Sequence, residues 1–230
     1  MSANLQAQLT AEAIATFALT FVGAGAIYVG GGADANLLHV AVAHGIILSV
    51  MVSATMNISG AHINPAITLG MMATKRMDPK TGGAYIVAQL CGACVAGAML
   101  YSLGGGGVGT PAPGYLPGED GALVSTQQAI LVEAVLTFLL MITIMGTAVD
   151  SRAPAGIAGF GIGLVVMADI MMGGPLTGAA MNPARWFGTW IFSDMENNID
   201  LIIYTIGPIL GSLLGVLLWD KMMDAPSDES

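Results

Sequence analysis

The chain has 230 residues and a formal net charge of -9, from fifteen Asp and Glu against six Lys and Arg. Hydrophobic residues reach 55% and charged residues only 9%, where soluble domains carry roughly 25% charged residues; a water-soluble globule is excluded and a lipid bilayer is the expected surrounding. So few basic residues in an acidic chain also exclude a nucleic-acid footprint.

In chain order, Met1 to Thr10 is polar and holds no Lys or Arg. It lacks the basic stretch of a signal peptide, so the first apolar segment is expected to be retained. Six apolar segments, at residues 9–29, 38–58, 83–103, 127–148, 155–172 and 201–219, are predicted as spanning helices. Most come near the ~20 residues that a crossing takes, the fifth being the shortest. After the second and the fifth stands the same tripeptide, Asn64-Pro65-Ala66 and Asn182-Pro183-Ala184. Each copy ends a Gly-rich stretch and begins an apolar run too brief to span. The run from Pro65 to Thr74 gives about 15 Å of helix against a hydrocarbon core of roughly 30 Å. Asn is a strong N-cap, and Pro suits the first helical position, which needs no N–H. Each copy is therefore read as the start of a half-helix entered from an unwound segment. The linker, residues 104–126, is rich in Gly and Pro and reads as an outer loop. Cys91 and Cys94 fall inside the third apolar segment and are read as small packing residues. No catalytic nucleophile, metal cluster or cofactor loop stands out, so neither an enzyme nor a metal or cofactor site is expected.

Lys75, Arg76, Lys80, Arg152 and Lys221 all fall on the side that would hold both termini, which should be cytoplasmic. The opposite loops carry Asp34, Glu119, Asp120, Asp194, Glu196 and Asp200. The chain also repeats itself: the run 11–17 around Glu12 matches the run 132–138 around Glu133. Three helices per half turn the second half upside down, so residues 1–230 are expected to form a single channel domain of two inverted repeats, about 9–103 and 127–221. The two half-helices then enter from opposite faces and meet at their N-termini. Each N-terminus carries about half a positive charge and unpaired N–H donors, so the midpoint repels cations and relayed protons. The side-chain amides of Asn64 and Asn182 can donate to a passing oxygen, and the carbonyls of the unwound segments can accept. That pairing suits a neutral, hydrogen-bonding solute.

The sequence resembles the aquaporins of the major intrinsic protein family over nearly its whole length. The resemblance is carried by Ser59-Gly60-Ala61-His62-Ile63-Asn64-Pro65-Ala66, by Ala84-Tyr85-Ile86-Val87-Ala88-Gln89, by Gly178-Ala179-Ala180-Met181-Asn182-Pro183-Ala184-Arg185, and by the repeated Glu12 and Glu133. It implies an all-α membrane protein of six transmembrane helices and two re-entrant half-helices, assembled as a homotetramer with one pore per subunit. It also implies a narrow outer filter at four positions, which carry over to His44, Ile170, Ala179 and Arg185. The set His-Ile-Ala-Arg is similar to the plant tonoplast class, which passes water and often ammonia, urea or hydrogen peroxide. Glycerol facilitators usually carry Asp directly after the Arg, where this chain has Trp186.

The expected function is thus a passive channel for water and small neutral solutes, ammonia first, in the plasma or inner membrane. A glycerol facilitator is the main alternative, and an ion-coupled secondary transporter a more distant one. Gly60, Ala61, His62, Gly178 and Ala180 are expected to line the pore. Glu12 and Glu133 are expected to brace the unwound loops by accepting backbone N–H bonds. Asp169 has three readings: a bond to the loop bearing Ala179, a pair with a filter cation, or solvent exposure. Gly207, Gly211 and Gly215 are read as close-packing positions.

Overall fold

The computed structural model describes residues 3–107, 109–112, 123–193, 195 and 198–223. Its helices begin where a side chain can take the first free N–H groups. Asn36 Oδ1 accepts from Leu38 and His39 to open α2 (Leu37–Ser59). Asp78 accepts from Lys80 and Thr81 to open α4 (Pro79–Ser102), which holds that exposed carboxyl below its ordinary range. Ser125 and Gln128 exchange bonds in a capping box that opens α5 (Thr126–Ile144). The other spanning helices are α1 (Ala3–Val29), α6 (Ile157–Thr177) and α8 (Asn198–Met223). Two short helices, α3 (Pro65–Ala73) and α7 (Pro183–Trp190), begin at the repeated tripeptides, each with its Asn at N-cap and its Pro in the first turn. Among the described residues the fold is all-α: six membrane-length helices and two re-entrant half-helices.

The helices approach through glycines. A Cβ on Gly92 of α4 would run into the Ala13 carbonyl of α1, and one on Gly211 of α8 into the Ala134 carbonyl of α5. Gly45 of α2 and Gly163 of α6 each leave room for the other's carbonyl. Gly207 and Gly215 pack on α5 in the same way, as their spacing suggested. Outward, Ile46, Val50, Val87, Val95, Leu131, Leu214 and Leu217 are exposed. In water this would be an aggregating surface; in a bilayer it is the face that lipid covers.

Ion pairs gather the basic turns at one end of the bundle. Arg76, between α3 and α4, forms a two-pronged bridge to Asp220 of α8 at 2.7 and 3.0 Å. Arg152, between α5 and α6, donates to Asp150 and reaches the Met223 sulfur; the guanidinium holds the Asp150 carboxyl down at about 2.

Several boundaries differ from the sequence reading. Helix α6 continues past residue 172 to Thr177, through Gly173, Gly174 and Pro175, because its last turn is capped by Gly178 at φ 74°. Helix α5 runs on through a π-turn, Met145–Val149, where Gly146 packs on Trp219. Asp200 is not in a loop but in the first turn of α8, where a carboxylate complements the helix N-terminus. Glu119, Asp120, Asp194 and Glu196 lie outside the described residues.

Candidate functional site

The segments that lead into α3 and α7 cannot be helical. In the first, Gly60, Ala61 and Ile63 have φ of 84°, 51° and 56°; in the second, Gly178, Ala179 and Met181 have 74°, 46° and 52°. Ala, Ile and Met rarely adopt the left-handed region, so these loops store backbone strain. Their N–H groups need outside acceptors, and each loop finds them on one buried glutamate. The Glu12 carboxylate accepts from Ser59 Oγ (2.7 Å), His62 N (2.9 Å), Ile63 N (2.7 Å) and Gln89 Nε2 (2.8 Å). Glu133 accepts from Thr177 Oγ1 (2.7 Å), Ala180 N (2.9 Å) and Met181 N (2.7 Å). Tyr85 and Tyr204 donate to the carbonyls of Ser59 and Thr177, fixing where each loop leaves its helix. The carbonyls of residues 60–62 and 178–180 accept nothing from the described residues, which leaves them to water or solute.

At the junction each Asn does two jobs. Its Oδ1 caps its own half-helix: Asn64 accepts from Ala66 N, and Asn182 from Ala184 N and Arg185 N. Its Nδ2 crosses to the other loop, Asn64 to the Met181 carbonyl (2.8 Å) and Asn182 to the Ile63 carbonyl (2.9 Å). The sequence reading has both amides able to donate to a passing oxygen. In the structure one N–H of each is spent on the crossing bond, and only the second is left for solute. Pro65, Ala66, Pro183 and Ala184 are buried supports of these two turns.

Both Asn residues line a narrow internal cavity of about 40 Å³, together with Ala61, His62, Ala180 and the four positions expected to form the filter, His44, Ile170, Ala179 and Arg185. At ~10–15 Å³ per water this holds a file of about three molecules. The remaining wall is apolar, from residues such as Leu48, Val52, Ile144 and Val166. A second cavity, about 430 Å³, shares Ala61, His62, Ile67, Ile144 and Ile162 with it and adds Gly60 and Arg76 at the basic end of the bundle. His62 also bonds Thr68 through Nδ1 at 3.1 Å. Gly178 lines neither cavity; its α-carbon packs against Pro111 and Ala112.

Arg185 and His44 are joined. Nε and Nη2 of Arg185 lie 3.0 and 2.7 Å from His44 Nε2, and His44 Nδ1 lies 2.8 Å from the Val40 carbonyl. A carbonyl only accepts and a guanidinium only donates. Nδ1 therefore carries the ring proton and Nε2 is the bare acceptor, a tautomer assigned from the bonding pattern. The Nε2 edge of His44 is thus occupied by the arginine. Arg185 Nη1 is buried with no described partner and remains for a solute oxygen.

Asp169 is 3% exposed, which overturns its solvent reading. No described group hydrogen-bonds it, and its Oδ2 is buried without a partner. Sequence reasoning missed the supporting roles of Ser59 and Thr177. The signal was there, since each stands five residues before its Asn. Tyr85, Tyr204 and the Gln89–Thr68 bond had no such local signal.

A family model described as "Major intrinsic protein" matches residues 1–219. "Aquaporin TIP4-4" of Zea mays is 40% identical, covering 94% of this chain and 86% of its own. "Aquaporin AqpM" of Methanothermobacter thermautotrophicus is 38% identical over 95% of this chain and 98% of its own. Among solved structures, the aquaglyceroporin from Plasmodium falciparum superposes with a TM-score of 0.81 at 23% identity, covering 96% of this chain and 97% of the other, which is a likeness of fold.

Proposed function

Because this chain belongs to the major intrinsic protein family, whose aquaporins are membrane channels for water and small solutes, we propose that it conducts water and ammonia passively and excludes protons and ions. Urea and hydrogen peroxide are further candidate solutes. The observation that carries this reading is one cavity lined by both capping asparagines and by Arg185, with half-helix N-termini on two sides of it. A water at the midpoint receives the remaining N–H of each amide. Both its lone pairs are then used, so its hydrogens point outward and no neighbouring water can pass it a proton. The converging helix dipoles and the Arg185 charge raise the barrier for any cation. Ammonia carries no charge and needs only a donor and an acceptor, which Arg185 Nη1 and the open carbonyls supply. The small Ala179 and the apolar Ile170 leave room that a bulkier, donating pair would close.

Residues 9–103 and 127–221 act as one channel domain of two inverted repeats, four chains form a tetramer, and the basic end faces the cytoplasm of the plasma or inner membrane, with both termini inside. Stopped-flow light scattering on proteoliposomes tests the solutes. Water and ammonia fluxes above the lipid background, with glycerol slow, are expected. Ammonia flux equal to that of empty vesicles removes the ammonia assignment, and fast glycerol flux replaces it with a glycerol facilitator.

A further inference from the structure

Gly23 lies inside α1 and is buried. A Cβ built on it would strike three atoms of the His44 ring, Nε2, Cδ2 and Cε1, all nearer than real Cβ contacts come. The imidazole therefore lies against a bare α-carbon. It is held in that seat by Val40 on one ring nitrogen and by Arg185 on the other, and it is 1% exposed. Glycine is among the poorest formers of a helix interior, and Gly23 is not among the positive-φ residues. The backbone does not ask for glycine here; the ring does.

We propose that Gly23 sets the bore of the filter. By letting the His44 ring lie back against α1, it draws the Arg185 guanidinium to the same side and leaves the passage beside Ile170 and Ala179 open. Gly23 touches no solute; it is a positioning residue that acts through His44, and the proposal rests on the reading of His44 and Arg185 as the filter. A methyl at this position displaces the ring. The stem of His44 is fixed on α2, and α1 closes the side that the ring leaves. The ring moves into the cavity it already lines, taking its bonds to Arg185 with it or breaking them.

The test compares the full chain, Gly23→Ala, His44→Ala and the double substitution in proteoliposomes, reading osmotic water permeability per inserted protein. Gly23→Ala is expected to lower permeability about tenfold. In the His44→Ala background the same change is expected to matter less than about twofold, because no ring remains to displace. A Gly23→Ala channel within about twofold of the unsubstituted one overturns the proposal. So does an equal loss in both backgrounds, which would make Gly23 a helix-packing position only. If Gly23→Ala does not accumulate as inserted protein, the double substitution decides. Recovery to the level of His44→Ala upholds the seat, and failure to recover overturns it. Unsubstituted vesicles no leakier to water than bare lipid overturn the channel reading and this inference with it; the other outcomes reach this inference alone.

Discussion

Around the first re-entrant loop, Glu12 accepts from two backbone N–H groups, from Ser59 and from Gln89, which in turn bonds Thr68 of the half-helix. Around the second, Glu133 accepts from two backbone N–H groups and Thr177, and α8 offers no amide. Four residues after its tyrosine, α4 has Gln89 and α8 has Pro208. In place of the polar brace, Trp186 stacks on Trp190 and Tyr204 with ring centroids 4.9 and 5.4 Å apart. Three residues after each Asn stand Ile67 in one half and Arg185 in the other. The glutamate, the hydroxyl, the tyrosine and the capping Asn recur because any unwound loop in a bilayer must satisfy the same backbone N–H and C=O groups. The positions that do not recur, His62 against Ala180 and Ile67 against Arg185, all line the internal cavity.

The hardest blow to this comparison is at the glutamates. Glu133→Gln sets an amide NH₂ against a backbone N–H with only the Thr177 hydroxyl able to turn and accept from it, and about 3 kcal/mol of stability should be lost. Glu12→Gln should cost about 1 kcal/mol less, because the Gln89 amide can turn and offer its Oε1, which has no described partner. Thermal unfolding of the detergent-solubilised protein reads both; equal losses would show that Gln89 gives no relief. Next, Arg185→Val makes the second half resemble the first at the filter. Proton and cation leak, followed as decay of a pH gradient in vesicles, should rise about tenfold, and an unchanged leak would take the barrier away from Arg185.

The two asparagines test where the halves agree. Asn64→Ala and Asn182→Ala each remove one cap and one crossing bond, so each should cost about 1–2 kcal/mol, with values alike to within about 0.5 kcal/mol. A wide gap in unfolding midpoint would mean that the junction leans on one side. The smallest effect concerns pH. With Nδ1–H on Val40 and Nε2 facing the guanidinium, His44 has no vacant site for a second proton. Water permeability should stay flat from roughly pH 5 to 8; a step in that range that persists in a His62→Ala channel, His62 being the other imidazole on the cavity, would unseat the assigned tautomer.

Much of this was legible in the sequence because it is local or repeated. Caps, half-helix starts and the buried glutamates follow from residue type and period. Spacing carried over from the family resemblance brought His44, Ile170, Ala179 and Arg185 to the wall of one cavity. What could not be read depends on contacts far apart in the chain. The crossing amide bonds join residues 117 and 119 positions apart, and the seat of His44 on Gly23 joins two helices; Asp169 does lie on the buried stripe of α6 with Val166, Ile170 and Gly173, and only its polar side chain argued for exposure. The run of α6 through Gly173, Gly174 and Pro175 defied local propensity, since the helix is held by packing against Leu136 and Leu37.

The crossing bonds also bear on how the protein is made. When the first re-entrant loop leaves the ribosome, the donor for its Ile63 carbonyl is still 119 residues behind it in the chain. At roughly 5–20 residues per second the wait is roughly 6–24 s. Until then the Ile63 carbonyl has only the Thr16 hydroxyl for company, and the Asn64 amide lacks its acceptor. The nascent first half must pass that interval beside water or the insertion machinery, and the pore closes around its midpoint only when the last third of the chain arrives.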